Sequence, residues 1–311
     1  MRVALLFIDG VGIGVADPSR NPLARAPYLL SQFQDAPGTA LPEGALHRVD
    51  ACFGVPGRPQ SASNQTAILT GLDAPQRIGR HVLGYPNAEL RALIDRASIV
   101  KRLVDAGLSA TFANSYPAGY LDALGLLRRP SARAEVEIPK AVLRRLKPSA
   151  TTCAFAAAKV PLRTLDDLRA GEGLTHDLEG VRAAERFDLP RRTPEQAAAL
   201  FWRLARGQDF TLFEHYLADE AGHAQDFTAA THALETFDRF ARELIATRPA
   251  DTCVLICSDH GNVEDLSLRS HTLNDVALLS FGPPLPFVPR TVADVGRLVL
   301  AFNGLPVEAE P

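Results

Sequence analysis

This chain of 311 residues has few cysteines and no long apolar run. Its four cysteines, Cys52, Cys153, Cys253 and Cys257, form no CxxC pair, so the sequence predicts buried free thiols rather than a disulfide or a zinc–thiolate site. The first apolar run ends at Asp9, which is too short for a signal sequence or a membrane span of about 18 residues. We therefore expect a cytoplasmic protein without a membrane partner.

The chain also lacks a large excess of charge of either sign. Its 33 Lys and Arg residues nearly balance 36 Asp and Glu residues, giving a formal net charge of −3. Nucleic acids and anionic membrane surfaces attract proteins with a basic excess. The composition therefore argues against a nucleic-acid partner, while the 46% hydrophobic residues are enough for a sizeable core.

Strand-like and helix-like segments alternate along the chain. Buried apolar runs predict strands at 3–8, 109–113, 210–216, 252–257 and 276–281. This alternation predicts an α/β fold, with a doubly wound, mostly parallel sheet and helices on both faces. Residues 117–192 break the rhythm and are rich in Arg, Pro and Gly. We predict a core of residues 1–116 and 193–311, with a small inserted cap at 117–192.

Capping patterns predict where several helices begin. Asn21 followed by proline predicts a helix that runs toward Phe33. Thr193 opens a capping box with proline in the first turn. Thr291 is expected to cap a last helix that continues through Phe302.

Acidic and histidine residues follow three of the predicted strands. Asp9 comes after the first strand, Asp219 and His223 after the strand at 210–216, and Asp259 and His260 after the strand at 252–257. Ligands of doubly wound sheets bind outside the carboxyl ends of the strands. Carboxylate and imidazole groups together suit two divalent cations such as zinc or manganese. A helix N-cap is the alternative for any one of them, but not for the whole set.

Four short motifs occur in order across nearly the whole chain: FIDG at 7–10, DEAGH at 219–223, SDHGNVE at 258–264 and SHT at 270–272. This ordered set resembles the alkaline phosphatase superfamily, in particular its cofactor-independent phosphoglycerate mutases and phosphopentomutases. The resemblance implies a two-metal phosphoryl-transfer enzyme with manganese or zinc. It implies one ion held by Asp9, Ser61, Asp259 and His260, and a second held by Asp219, His223 and His271.

The same resemblance implies a nucleophile. Relatives place a serine or threonine ahead of a helix that ends in a Thr-Gly pair, and counting ten residues back from Gly71 gives Ser61. A hydroxyl at a helix N-terminus meets free backbone N–H groups that favour phosphate. Ser63 is the competing nucleophile, and a plain N-cap serine is the other alternative. The Ser61 alkoxide would form a phosphoserine, from which water or a substrate hydroxyl accepts the phosphoryl group.

Substrate-binding residues are predicted around the nucleophile. Asn64 matches an asparagine that nucleotide pyrophosphatase relatives use to hold a phosphate oxygen, with a local helical hydrogen bond as the alternative. Arg80 and His81 follow the nucleophile helix and are expected to reach the substrate, unless they lie in a solvated loop. Arginines of the predicted cap are expected to meet an anionic substrate or to form a solvated basic surface, namely Arg128, Arg129, Arg133, Arg144 and Arg145.

Sequence differences from members of the superfamily limit the activities that this chain is expected to have. The segment from Ser61 lacks the proline and arginine of the sulfatase signature. Gln65 replaces the histidine that follows the nucleophile in the mutases, and the predicted cap is smaller than theirs. The sequence therefore predicts a hydrolase of small phosphate esters, with a phosphomutase as the alternative. It does not indicate the oligomeric state.

Overall fold

The computed structural model describes residues 1–126, 146–187 and 189–307, and a six-stranded sheet lies at its centre. The strands of this sheet and of a separate two-stranded ribbon are β1 (Arg2–Ile8), β2 (Gly44–Val49), β3 (Ala110–Phe112), β4 (Ser115–Tyr116), β5 (Arg163–Thr164), β6 (Phe210–His215), β7 (Thr252–Cys257) and β8 (Val276–Phe281). The sheet order is β2-β8-β7-β1-β6-β3, and β4 pairs with β5 in the ribbon. Strands β7, β1, β6 and β3 are parallel, β8 runs antiparallel to β7, and the edge strand β2 runs antiparallel to β8 and so in the direction of the other four. The predicted mostly parallel α/β sheet is confirmed.

Helices cover both faces of the sheet. They are α1 (Ser61–Thr70), α2 (Ala74–Ile78), α3 (Ala88–Ala97), α4 (Ile99–Asp105), α5 (Ala118–Ala123), α6 (Ala150–Ala157), α7 (Leu165–Arg169), α8 (Val181–Phe187), α9 (Pro194–Ala205), α10 (Leu217–Ala224), α11 (Phe227–Ala246) and α12 (Ala293–Phe302). None of these described helices has the length and apolar character that crossing a bilayer requires.

Alternate residues of β1 enter two separate cores, because successive side chains of a strand point to opposite faces. Leu5 packs in the core formed with α1, α3, α4, α6 and α12, and Leu6 in the core formed with α9, α10 and α11. Both leucines are fully buried. Cys253 and Cys257 lie in the first core as free thiols, in agreement with the sequence analysis.

Two predicted helix starts need correction. Asn21 caps only a 3-10 turn, Pro22–Arg25, and Ala26 is already extended. Ala26 precedes a proline, which disfavours the helical conformation, so no helix reaches Phe33. The last helix begins at Ala293, and no side chain caps its first turn; the carboxylate of Asp294 instead accepts the backbone N–H groups of Arg290 and Thr291, just before the helix. The capping box at Thr193 is confirmed.

Part of the predicted cap is continuous with the core. Helix α6 buries Ala154 and Phe155 in the core that contains Leu5. Leu165, Leu168 and Leu189 form a smaller cluster of their own. The unit 117–192 stays a prediction, and its five arginines, at positions 128, 129, 133, 144 and 145, lie outside the described residues.

Candidate metal centre

The structure brings the predicted ligands together at the carboxyl edge of the sheet. Asp9 directly follows β1, and the pair formed by Asp259 and His260 follows β7. Strand β6 leads into α10, which carries Asp219 and His223 one turn apart on the same helix face. His271 comes from the loop before β8. Two clusters result, Asp9–Asp259–His260 and Asp219–His223–His271, each with its ligand atoms within 4.8 Å of one another.

In the first cluster, His260 Nε2 faces three oxygen atoms. It lies 3.5 Å from Asp9 Oδ1, 3.4 Å from Asp259 Oδ2 and 3.0 Å from Ser61 Oγ. Asp9 Oδ1 is buried and has no hydrogen-bond partner. An unpaired buried carboxylate oxygen is costly unless a cation is present. The cluster therefore fits a divalent ion.

In the second cluster, two imidazoles face each other through the nitrogens that metals bind. Nε2 of His223 and Nε2 of His271 are 3.2 Å apart, and Asp219 oxygens lie 3.3 Å and 3.6 Å from them. The Nδ1 atoms lie 2.9 Å from Arg269 O and 2.7 Å from Pro59 O. Because a carbonyl only accepts, each Nδ1 donates its hydrogen to a carbonyl, and each Nε2 is left facing the cluster as the atom that could bind a metal. Two such nitrogens and a carboxylate suit a cation.

The two clusters are adjacent. The rings of His260 and His271 stack with their centroids 3.6 Å apart. One member of each trio therefore touches the other trio, as expected for a pair of neighbouring ions.

The Glu264 carboxylate connects, by hydrogen bonds, the loops that carry these candidate ligands. It is fully buried and accepts hydrogen bonds from Gly12 N at 2.9 Å, Asn262 N at 2.7 Å and Asn274 Nδ2 at 2.9 Å, as well as from Thr272 Oγ1. These donors belong to the loops after β1, after β7 and before β8. Glu264 therefore fixes the first cluster and His271 relative to each other.

The contacts of Asn262 and Gly222 explain why two further motif positions hold these residues. Asn262 Nδ2 donates to Asp219 Oδ1 at 2.6 Å, which orients this ligand. A Cβ atom on Gly222 would lie 2.6 Å from the Asn262 side chain. The glycine of the DEAGH motif is thus required so that α10 can approach the SDHGN loop.

Burial governs the protonation of the first cluster. It raises the pKa of Asp9 well above its ordinary value, with a further increase from the neighbouring Asp259 charge. It raises the pKa of Asp259 to about 6 and lowers the pKa of His260 to about 3.

Gln65 Nε2 lies 3.1 Å from Asp259 Oδ2 and 3.4 Å from Asp9 Oδ2, so one amide bridges both acids. The sequence analysis gave Gln65 no role of its own.

The Asp259 pKa leads to a stability prediction for the metal-free protein. The pKa rises from 3.8 to about 6 on folding, so the folded carboxyl keeps its proton to higher pH than the unfolded one. The free energy of unfolding should therefore fall by about 3 kcal/mol between roughly pH 4 and pH 6 and stay lower above that range. In EDTA, Asp259→Asn should gain stability over wild type across this window, as measured by urea unfolding at a series of pH values.

Asp251→Asn serves as the control, because this aspartate is exposed just before the same strand. A wild-type-minus-variant difference for Asp259→Asn that is constant from pH 4 to pH 7 would contradict the assignment.

Ser61, and not Ser63, lies at the first cluster. Ser61 is the first residue of α1, and its Oγ is the atom that lies 3.0 Å from His260 Nε2. Ser63 is fully buried; its hydroxyl donates to Gln60 O at 3.0 Å and accepts from Val82 N at 3.1 Å. The geometry therefore favours Ser61 over its competitor.

The three predicted substrate-binding residues do not join the cluster. Asn64 is fully buried, and its amide donates to Ala51 O and Asp259 O, both at 2.8 Å, so it supports the loop beneath Asp259. Arg80 pairs with Glu89 on the surface. His81 is half-buried, and burial lowers its pKa. Their substrate-binding roles stay predictions.

A cavity of about 560 Å³ opens beside the first cluster and contains Asp9, Ser61 and Gln65 in its wall. Residues of the predicted cap complete the wall, among them Tyr120 and Phe187. Described residues of the segment 117–192 therefore border the candidate metal centre.

Sequence reasoning missed Glu214, which lies in the same wall. It is almost fully buried and accepts hydrogen bonds from Thr151 and, at 3.4 Å, from Tyr216 OH. Burial raises its pKa to about 7. The sequence held a signal for it, because Glu214 is the one acidic residue of β6, whose side chains are all buried.

The structure thus places two clusters of candidate metal ligands at the carboxyl edge of an α/β sheet. A family model described as the metalloenzyme superfamily matches residues 195–296. The chain is 32% identical over 172 residues to phosphopentomutase of Deinococcus radiodurans, covering 53% of this chain and 40% of that protein. The chain thus spans about two fifths of the length of the curated relatives that it matches.

Solved structures show the same fold. Alkaline phosphatase from the Antarctic bacterium TAB5 matches with a TM-score of 0.53 and 13% identity, covering 97% of this chain and 98% of that one. A mutant of that enzyme with magnesium bound matches with a TM-score of 0.55 and 14% identity, covering 98% of each chain. The family model and the curated relatives each match part of this chain, and the solved structures show that its fold is like that of the alkaline phosphatases.

Proposed function

We propose that the protein is a two-metal phosphoryl-transfer enzyme with Ser61 as its nucleophile. The observation that carries the proposal is the Ser61 hydroxyl at a helix N-terminus, 3.0 Å from a ligand of one cluster that is stacked against the other. Such an arrangement brings a nucleophile to the place where a phosphoryl group would be held.

The two clusters would hold one divalent ion each. The first offers Asp9, Asp259, His260 and Ser61, and the second offers Asp219, His223 and His271. Oxygen and imidazole ligands in these numbers suit manganese or zinc. Bound ions would neutralise the charge of the phosphoryl group and lower the pKa of the serine hydroxyl.

The chain's own residues then account for the transfer. Ser61 Oγ attacks phosphorus, the ester oxygen leaves, and a phosphoserine forms on the chain. The first N–H groups of α1 have no acceptor within the helix and lie where phosphoryl oxygens would bind. A second hydroxyl then attacks the phosphoserine and releases Ser61.

The nature of that second hydroxyl separates a mutase from a hydrolase. The matched relatives are named phosphopentomutases, which favours a phosphomutase of pentose phosphates over the hydrolase that the sequence analysis preferred. In this function the phosphoserine returns its phosphoryl group to another hydroxyl of the same sugar, and the cavity wall must exclude water meanwhile. Hydrolysis of phosphate esters is the second candidate, because Gln65 occupies the position of the mutase histidine and bridges Asp9 and Asp259.

Phosphorus NMR of manganese-loaded protein with a pentose 1-phosphate tests both functions. A mutase converts it to the pentose 5-phosphate without free phosphate, whereas a hydrolase releases inorganic phosphate. We expect the first result. The absence of both products, with manganese and with zinc, would refute phosphoryl transfer on this substrate class, and a panel of other phosphate esters would then decide the proposal as a whole.

A further inference from the structure

Tyrosines are concentrated in the cavity beside the nucleophile. The chain has five tyrosines, and four of them, Tyr85, Tyr116, Tyr120 and Tyr216, line the cavity that contains Ser61. They come from distant parts of the sequence, from the loop after α2 to the residue before α10. Core packing alone does not account for such a gathering at one cavity, since Tyr85 is 52% exposed.

The inner tyrosines are held in place by contacts with the fold. The rings of Tyr116 and Tyr120 stack with centroids 5.3 Å apart, and the Tyr116 ring lies 6.0 Å from that of Phe112 in the core. Tyr216 OH donates to Glu214 Oε2 at 3.4 Å. A ligand in this cavity would therefore meet aromatic rings that are already ordered, which lowers the entropic cost of binding.

The described part of the cavity wall carries carboxyl groups and no basic side chain. Among the described residues that line the cavity, Asp9 and Glu214 are the only ones with an ionisable acidic or basic chain, apart from the tyrosine hydroxyls. Bound ions at the clusters would compensate Asp9, but Glu214 lies in neither cluster. The described part of the cavity around Glu214 and the tyrosines thus offers no cation that would compensate a second negative charge.

We propose that the tyrosine-lined part of this cavity is the subsite for the organic group of the phosphate ester, and that it selects an uncharged ring over a group that carries a second negative charge. The phosphoryl group lies at Ser61, so this inference rests on the proposed function. Ring faces pack on aromatic side chains with a gain beyond simple burial. Tyr120 and Tyr85 are the specificity-determining residues, one on α5 and one at the exposed side of the wall.

Binding of phosphonates to manganese-loaded protein tests the subsite without turnover, because their P–C bond is not cleaved. By titration calorimetry, phenylphosphonate should bind about tenfold more tightly than methylphosphonate, and 4-carboxyphenylphosphonate about tenfold more weakly than phenylphosphonate. Tyr120→Leu should reduce the phenyl-to-methyl preference to below about threefold, whereas Tyr120→Phe should keep it. Tyr85→Leu, at a half-exposed position that tolerates change, should reduce it as well.

Tyr28→Leu is the matched control, since Tyr28 is the fifth tyrosine and is buried in the core of the opposite face. Equal binding of phenyl- and methylphosphonate would overturn the subsite, as would tight binding of the carboxylated ligand or an equal loss of preference in Tyr28→Leu. If methylphosphonate binds and phenylphosphonate binds no more tightly, this inference is wrong, but the proposed phosphoryl site is not contradicted. Failure of all three ligands to bind defeats the phosphoryl site and this inference together.

Discussion

Replacing Ser61 by alanine is expected to lower kcat by about 10⁴-fold or more, while the fold stays intact and Asp9, Asp259 and His260 still hold an ion. The hydroxyl is the group that forms the covalent intermediate, and removal of a nucleophile abolishes that route. Ser61 is the first residue of α1 and its side chain is not part of the core, so the cost in stability should be small. Steady-state kinetics on the best phosphate ester found, with elemental analysis of the same sample, provide the measurement.

Ser63→Ala is the control for this experiment. It removes two internal hydrogen bonds, to Gln60 O and from Val82 N, so it should lower stability by about 1 kcal/mol and change kcat only a few-fold. An inactive Ser63→Ala protein beside an active Ser61→Ala protein would show that the nucleophile lies two residues further along α1.

Replacing His271 by alanine is expected to remove one of the two metal equivalents and to lower kcat by about 10³-fold. His271 is almost fully buried, its Nδ1 is fixed on Pro59 O, and its Nε2 faces His223 and Asp219, so no neighbouring side chain replaces it. Loss of one ion of a pair removes several kcal/mol of charge stabilisation from the transition state. Elemental analysis after gel filtration, together with kinetics at saturating metal, checks both parts.

His232→Ala is the matched control, because His232 is 62% exposed and pairs with Glu179 on the surface. It should keep two metal equivalents and full activity. Two firmly bound equivalents in His271→Ala would remove this histidine from the second cluster, whatever the activity of the variant.

The central strands were predictable because each is a short, continuous apolar run, and burial on both faces demands such a run in a parallel sheet. Strand β2 was not predicted. It is an edge strand that pairs antiparallel with β8, five of its six residues are partly or fully exposed, and it contains His47 and Arg48. No apolar run marks it, and only its pairing with β8 makes it a strand.

The ligands were predictable for a different reason. Asp9, Asp259 and His260 stand directly after strands, so the sheet itself determines which edge they occupy. The roles of Glu264 and Glu214 depend on which distant loops meet around them, and this is not encoded in local spacing. Asn64 is a second example of what local spacing does not reveal. Its position in the sequence resembles that of a phosphate-binding residue, but its amide donates to two backbone carbonyls.

The position of β1 in the sheet has a consequence for biosynthesis. Val3 pairs with Phe210 on one side and with Cys253 on the other, so the two neighbours of the first strand are made about 210 and 250 residues after it. At 5–20 residues per second, the ribosome needs roughly 10 to 50 s to cover these distances. During this interval an apolar strand has two unpaired edges, which is the state that chaperones recognise and that aggregates readily. Assembly of the sheet must therefore wait until most of the chain has emerged, and the yield of folded protein should depend on how well the nascent N-terminus is shielded until then.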